Sequence, residues 1–192
     1  MDKIILIGGG GHAKSCIDVI ENEKKYEVIG ILDSPSKVGE EILGCKIIGS
    51  DCDIKKYSDM GYYFLITVGQ LETADKRAEL FEEVKSAGGK FATVISPLAH
   101  IAKGVKIGEG SIVHHGVIIN SDSTIGVNCI INSKALIEHD CTVEDNCHIA
   151  VGAVLAGGVK IGRGSFIGAN ATVVQCRNVP QNSFIKACTL VK

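Results

Sequence analysis

From Ala99 onward the chain falls into thirteen consecutive hexads, opening AHIAKG, VKIGEG, SIVHHG and closing SFIGAN, ATVVQC. The third residue of every hexad is aliphatic, from Ile101 and Ile107 to Ile167 and Val173, and the first is always Ala, Val, Ser or Cys. A period of six matches neither the 3.6 of a helix nor the alternation of a lone strand. It matches a short strand followed by a tight corner. Three such units close one triangular coil, with the aliphatic third residue filling the interior. The first residue, two earlier on the same strand face, has to be small to fit beside it. The thirteen hexads therefore predict a parallel β-helix of a little over four coils around one continuous core.

The residues before the hexads follow a different grammar. KIILIGGGGHAKSCIDVIENEKK reads as a buried strand, a glycine loop and an amphipathic helix with Ala13, Ile17 and Ile20 on one face. EVIGILD is a second strand ending at Asp33, a third runs from Tyr62 to Val68, a helix is expected over 72–87, and KFATVIS is a fourth strand. Strands alternating with helices predict a small parallel α/β sheet. Proline at Ser96-Pro97 marks the boundary, giving a Rossmann-like domain over 1–96 and a β-helix over 97–192.

The composition removes several classes. Twenty basic against 22 acidic residues give a net charge of −2, with no surplus to hold nucleic acid or an anionic membrane. The start, MDKIILIGGGGHAKS, has too short an apolar run for a signal peptide or a membrane span, so a cytoplasmic protein with reduced thiols is expected. The eight cysteines show no CxxC pair and no zinc-finger spacing. They are read as small buried fillers, on the pattern of Cys129, Cys141 and Cys147, which open hexads.

The loop Gly8–Gly11 follows a strand and opens a helix, where backbone amides and the helix dipole meet phosphate oxygens. Asp33 ends the second strand, the place of a ribose-binding acid in dinucleotide folds. The plainer reading is a tight strand-to-helix turn. NAD itself is disfavoured, because only a truncated Rossmann unit precedes the hexads. His12 is suited either to donating to a phosphate or to stacking on a base.

The histidines of the hexads divide. His114 and His115 occupy a corner and are expected to be solvated and tolerant of alanine, and His100 has no evident partner. His139 sits between Glu138 and Asp140, carboxylates that raise an imidazole's basicity and fix its tautomer, as a general base requires. His148, second in its hexad, points outward. Such a face becomes one wall of a cleft only when another subunit packs alongside. No GxSxG nucleophile elbow occurs, and a metal site from His139, Asp140 and His148 is not expected.

GGGGHAKSCIDVI, GILD, ITVGQLETADK and LIEHDCTVEDNCHIAVGAVLAGGVKIG together resemble the sialic-acid O-acetyltransferase-like family of hexapeptide-repeat acyltransferases, in its nucleotide-sugar 4-amino N-acetyltransferase branch. The resemblance covers nearly the whole chain. It implies a homotrimer whose Rossmann-like domain binds a nucleotide sugar and whose left-handed β-helix binds acetyl-CoA as co-substrate, with no metal. By resemblance His139 is the general base and Asp140 its acidic neighbour, where several relatives carry glutamate. His148 contacts acetyl-CoA near the reacting carbonyl, with Ala169 and Ala187 as further cofactor contacts through the backbone. Asn132 helps position the substrate. Gly10, Gly11, His12, Asp33, Ser34, Gly69 and Glu72 match nucleotide-sugar contacts, Ser34 replacing an acid. The end, PQNSFIKACTLVK, departs from the family's usual terminus. The expected activity is acetylation of the 4-amino group of a nucleotide-linked sugar, with UDP the expected nucleotide. An O-acetyltransferase acting on a sialic acid or polysaccharide hydroxyl and a non-catalytic trimeric scaffold are the alternatives.

Overall fold

A computed structural model describes residues 1–70 and 72–192. The first half holds β1 (Asp2–Ile7), α1 (Gly11–Glu23), β2 (Tyr26–Leu32), β3 (Glu41–Ile42), β4 (Cys45–Gly49), α2 (Ile54–Asp59), β5 (Tyr63–Ile66), α3 (Asp75–Ser86) and β6 (Lys90–Phe91). The sheet order is β3-β4-β2-β1-β5-β6, parallel apart from the β3–β4 hairpin. Central β1 is covered on both faces, and Ile4–Ile7 are buried without a break, as a parallel strand requires. The carboxyl ends of β1, β2 and β5 deliver the Gly8–Gly11 loop, Asp33 and the segment after Ile66 to one edge, where open α/β sheets bind ligands.

Two elements escape the sequence reading. The β3–β4 hairpin and α2 carry short apolar runs that show no clear period. α3 begins at Asp75, three residues later than expected. KFATVIS is not one strand: Lys90–Phe91 pairs with β5, whereas Val94–Ile95 pairs with Ile112–Val113 and forms the first rung of the solenoid.

The solenoid has two-residue rungs on three faces. The first face runs from Val94–Ile95 to Phe184–Ile185, the second from His100–Ile101 to Leu190–Val191, and the third from Lys106–Ile107 to Asn178–Val179. Val113 pairs with Ile131 and Ile131 with Ile149, so like residues stack every third hexad. Rungs also continue through the divergent terminus, Phe184–Ile185 and Leu190–Val191 included. Most corners place Asp, Asn or Gly in left-handed backbone, as at Asp140 (φ 58°) and Asn146 (φ 60°). Cys129, Cys141 and Cys147 are interior fillers as expected. Cys52, Cys176 and Cys188 are exposed instead. The latter two hold left-handed corner positions, which point out of the coil.

The α/β domain docks on the early coils of the first face. Ile112 and Ile130 point outward from their rungs yet are 1% exposed, packed in one cluster with Ile4, Leu6, Ile17 and Ile20. This overturns the solvated-corner expectation for His114 and His115. His114 is 1% exposed. His115 is held between Ser96 Oγ (2.5 Å from Nδ1) and Asp18 Oδ2 (2.7 Å from Nε2). The repeat exposes this corner; the second domain covers it.

A second attachment comes from α3. Arg77 is 2% exposed and has no carboxylate partner among the described residues. Its guanidinium donates to the Asn128 carbonyl and to Gln70 Oε1 (3.1 Å), while Gln70 Nε2 donates to the Gly164 carbonyl (2.9 Å). Asn128 Nδ2 returns a bond to the Arg77 carbonyl (3.1 Å). Burial pulls the Arg77 pKa down to about 10, which leaves it charged at neutral pH. Three corner carbonyls and amides of the solenoid thus fix the segment after β5.

Candidate active site

Four glycines after β1 line a cavity of about 390 Å³ with His12, Asp33, Thr67, Val68 and Gly69. Gly8 has φ +106°, and a Cβ there would sit 2.5 Å from Val68. Gly10 and Gly11 differ: a Cβ at either meets nothing within 4 Å. No protein contact accounts for their being glycine, but a ligand lying against the loop would. Gly10 caps α1 without a side-chain bond, so the first amides of the helix are free to hold an anion. Gly11→Leu is expected to weaken nucleotide-sugar binding roughly 10–100-fold, the worth of one or two charge-assisted hydrogen bonds. Acetyl-CoA binding should be unchanged; calorimetry showing both ligands weakened alike would contradict a loop-specific role.

Asp33 already spends its lone pairs within the protein. Oδ2 accepts from the Gly9 N–H (2.6 Å), Oδ1 from the Ser34 N–H (2.6 Å) and from Lys37 Nζ (3.1 Å). Partial burial opposes ionisation, but these donors outweigh it and hold the carboxyl below its ordinary range. Asp33 therefore braces the glycine loop, and Ser34 serves it through its backbone. Glu72 is not brought into this cavity. It lines a separate one of about 250 Å³ with Thr73, Asp75, Gly164 and Asn182.

The later coils of the first face stay uncovered and form an apolar groove of about 460 Å³. Asn132, His148, Phe166, Ala169, Phe184 and Ala187 are among its walls. The structure thus unites Asn132, His148, Ala169 and Ala187, four residues singled out from sequence. Phe166 and Phe184 stack at 5.0 Å above His148, which meets Phe166 edge-on. Asn132 Nδ2 lies 3.3 Å from His148 Nε2. Although it points outward, His148 is only 7% exposed, because it stands at the seam with the α/β domain.

Across that seam the His12 ring lies 6.4 Å from His148 and 5.3 Å from His114. The loop cavity and the groove therefore meet at His12 and His148. Burial, then the neighbouring imidazoles and Arg77, depress His12 to a pKa of about 3. Burial and then Arg77 take His148 to about 3, and burial takes His114 to about 4. All three rings are neutral at pH 7, so they act as hydrogen-bonding groups there and carry no charge to the seam.

His139 stands elsewhere. It occupies the corner between the second and third faces, exposed, with Nδ1 donating to Asp140 Oδ2 at 2.7 Å. That hydrogen bond, with the charges of Asp140 and Glu138, raises the imidazole pKa above its ordinary value. A carboxylate can only accept, so the proton sits on Nδ1 and Nε2 keeps a free lone pair. The ring lies over Gly157 of the next coil, where a Cβ would be 2.7 Å from Nε2. Gly157→Ala is expected to displace the ring and cost about 10²-fold in turnover, as a misplacement near 1 Å does. Unchanged turnover in that variant would show that the ring's seat is unimportant.

In a triangular coil this corner is opposite the first face. One chain cannot bring His139 to the groove that holds His148. His114, Gln70, Arg77 and Phe166 are neighbours of the seam or groove that the sequence reading missed. Phe166 was legible as the outward residue one coil above His148; the other three depend on domain docking. A larger hollow of about 580 Å³ lies between α2 and α3, but Asp51, Glu79, Glu82 and Glu83 make it a poor receptor for an anionic nucleotide.

The chain matches two family models: the PglD N-terminal domain over residues 3–84 and the bacterial transferase hexapeptide (six repeats) over residues 140–175. No curated protein sequence matches significantly. Among solved structures, a histidine-to-asparagine mutant of perosamine N-acetyltransferase from Caulobacter crescentus, in complex with CoA and GDP-perosamine, aligns with a TM-score of 0.93 at 30% identity. The alignment covers 100% of this chain and 89% of that one. The acetyltransferase domain of PglB from Neisseria gonorrhoeae aligns with a TM-score of 0.92 at 26% identity, over 100% and 92% of the two chains. The same domain in complex with acetyl coenzyme A gives 0.88 at 26% identity, over 98% and 92%.

Proposed function

The chain belongs to the hexapeptide-repeat, left-handed β-helix N-acetyltransferase family that includes perosamine N-acetyltransferase, and from that premise we propose that it transfers an acetyl group from acetyl-CoA to the amine of a nucleotide-linked amino sugar. One observation carries this reading. A glycine cavity with free helix amides and an apolar groove adjoin across the seam, where His12 of the one lies 6.4 Å from His148 of the other. The cavity takes the nucleotide diphosphate on the amides of Gly10 and Gly11. The groove takes the pantetheine arm against Phe166, Phe184, Ala169 and Ala187, with His148 and Asn132 at its inner end. The sugar amine and the thioester then meet at the seam.

The base comes from a second copy of the chain. Its Nε2 accepts the proton of the sugar amine as the new N–C bond forms, and returns it to the departing CoA sulfur. Asp140 holds the ring and favours the imidazolium. The Gly157 N–H, which makes no hydrogen bond among the described residues, is a donor beside the base for the carbonyl oxygen as it gains charge. Acetyl-CoA supplies the activated acyl group, so no metal or covalent enzyme intermediate is needed, and proximity does most of the work. The assembly that places one subunit's corner against its neighbour's first face is a homotrimer with three equivalent clefts.

Two experiments test this. Incubation with acetyl-CoA and UDP- or GDP-linked 4-amino sugars should give a monoacetylated product stable to mild base. In this reading the loop amides hold phosphate and read no base, so both nucleotides enter the comparison. A base-labile product would be an ester and would replace the amine reading; no transfer to any amino sugar would overturn it. For the shared cleft, His139→Ala and a groove-blocking Ala169→Trp should each be inactive as homotrimers. Refolded together they should regain about a quarter of wild-type activity, the fraction of mixed interfaces that join one intact corner to one intact groove. Absence of any recovery in mixed trimers would exclude the intersubunit site.

A further inference from the structure

We propose that His12, Cys16 and His114 form a binding site for a zinc-class transition-metal ion at the junction of the two domains. His12 and Cys16 stand one turn apart on α1 and so share a face. His114 comes from the corner after the Ile112–Val113 rung. The three ligating atoms all lie within 4.8 Å of one another. Metal–nitrogen and metal–sulfur bond lengths in a tetrahedral site place such donors about 3.4–3.7 Å apart, so closure takes side-chain rotation of about 1 Å.

Two further observations favour a ligand here. His114 is 1% exposed, and neither its Nε2 nor that of His12 has a hydrogen-bond partner among the described residues. The cluster thus carries two buried ring nitrogens without a partner among the described residues, on the same side chains that gather around a fully buried thiol. Buried polar atoms normally find partners, so the exception calls for an occupant. Two imidazoles and a thiol are a soft donor set that selects zinc, cobalt or copper over magnesium or calcium. Three protein ligands leave the fourth tetrahedral position to water.

Such an ion is not needed for acetyl transfer, because the thioester is already activated and an imidazole serves as the base. His12, however, also lines the glycine cavity. An ion that captures His12 opposes a ligand that needs it, which makes the site inhibitory.

The test uses the full-length chain, reduced and stripped with EDTA, with Cys52, Cys176 and Cys188 replaced by serine to remove exposed thiols. Titration with cobalt(II) chloride should give one tetrahedral cobalt per subunit with a thiolate-to-cobalt charge-transfer band, discharged by zinc. Cys16→Ala should abolish the band. His114→Gln should weaken cobalt binding by about tenfold or more. Melting in EDTA verifies that both variants are folded, and Cys16→Ser replaces Cys16→Ala if the latter fails. No charge-transfer band, a band that survives loss of the Cys16 thiol, or unchanged affinity in His114→Gln would each overturn the proposal and leave a buried neutral histidine pair.

Discussion

Replacing His139 with alanine should lower turnover by roughly 10²–10⁴-fold, the usual worth of a positioned general base. The Michaelis constants for both substrates should change far less, because in the proposed mechanism the imidazole acts as the amine loses its proton, after both substrates are bound. The ring is exposed at its corner and makes no core contact, so the variant should fold and assemble normally, and the loss can be read as chemistry. The pH profile separates this role from a structural one. The raised His139 pKa moves formation of the free base toward higher pH, and that titration sets the acidic limb of the rate profile. Asp140→Asn removes the carboxylate that accepts from Nδ1, lowers that pKa and should move the limb to lower pH, at a smaller cost in turnover. Near wild-type turnover for His139→Ala, with the correct acceptor at neutral pH, would return His139 to the status of a solvated corner residue.

The parts of this site that were legible in the sequence are those fixed by the repeat. A period of six places every third-position aliphatic inside and every second-position residue outside. The outward direction of His148 therefore follows from the period, whereas the sequence reading made its face flat until a second subunit packed on it. Asp140 could be paired with His139 because the two are adjacent and the corner geometry is the same in each coil. What the repeat could not reveal was which stretches of its outer surface another domain would cover. The pattern presents Ile112, Ile130 and His114 as outward or corner residues, and all three are buried under the α/β domain. Arg77 sits on a helix whose periodicity assigns it no particular face, and its partners are corner carbonyls some fifty residues or more along the chain. Backbone acceptors carry no sequence signal. Glu72 is a related case: the resemblance groups it with Gly69 as a substrate contact, but Gln70 is bonded to the third-face corner at Gly164, and Glu72 lines a separate cavity there.

Docking over histidines has a thermodynamic consequence. Lowering the pH from 6.5 toward 4 should destabilise the protein steeply, and the cause is the seam. His12, His114 and His148 have folded pKa values of about 3, 4 and 3 against an ordinary 6.5. Above 6.5 they are neutral whether folded or unfolded and contribute no pH dependence. Below 6.5 the unfolded chain binds protons that the folded one refuses, so stability falls with each unit of acid. Each histidine costs about 1.4 kcal/mol per pH unit in that window, and the His114 contribution levels off as the pH nears its folded value. Together the three approach the whole stability of an ordinary domain within about two to three units. Other groups with shifted pKa values do not reproduce this slope. Arg77 stays charged throughout, and the buried Cys16 thiol is pushed far from ionising. Asp33, depressed below its ordinary 3.8, yields only at lower pH. Glu23, raised by burial, acts in the opposite sense as it protonates. His139, with a raised pKa, also has the opposite sign, losing its contribution above 6.5. The measurement is denaturant unfolding at fixed protein concentration in EDTA, at intervals between pH 7 and pH 4.5, for wild type and His114→Gln. Glutamine cannot titrate, so the variant's stability should fall less steeply by about 1.4 kcal/mol per unit over the upper part of the range. Parallel slopes for the two proteins would mean that His114 is protonated in the folded state, and that the seam is wet.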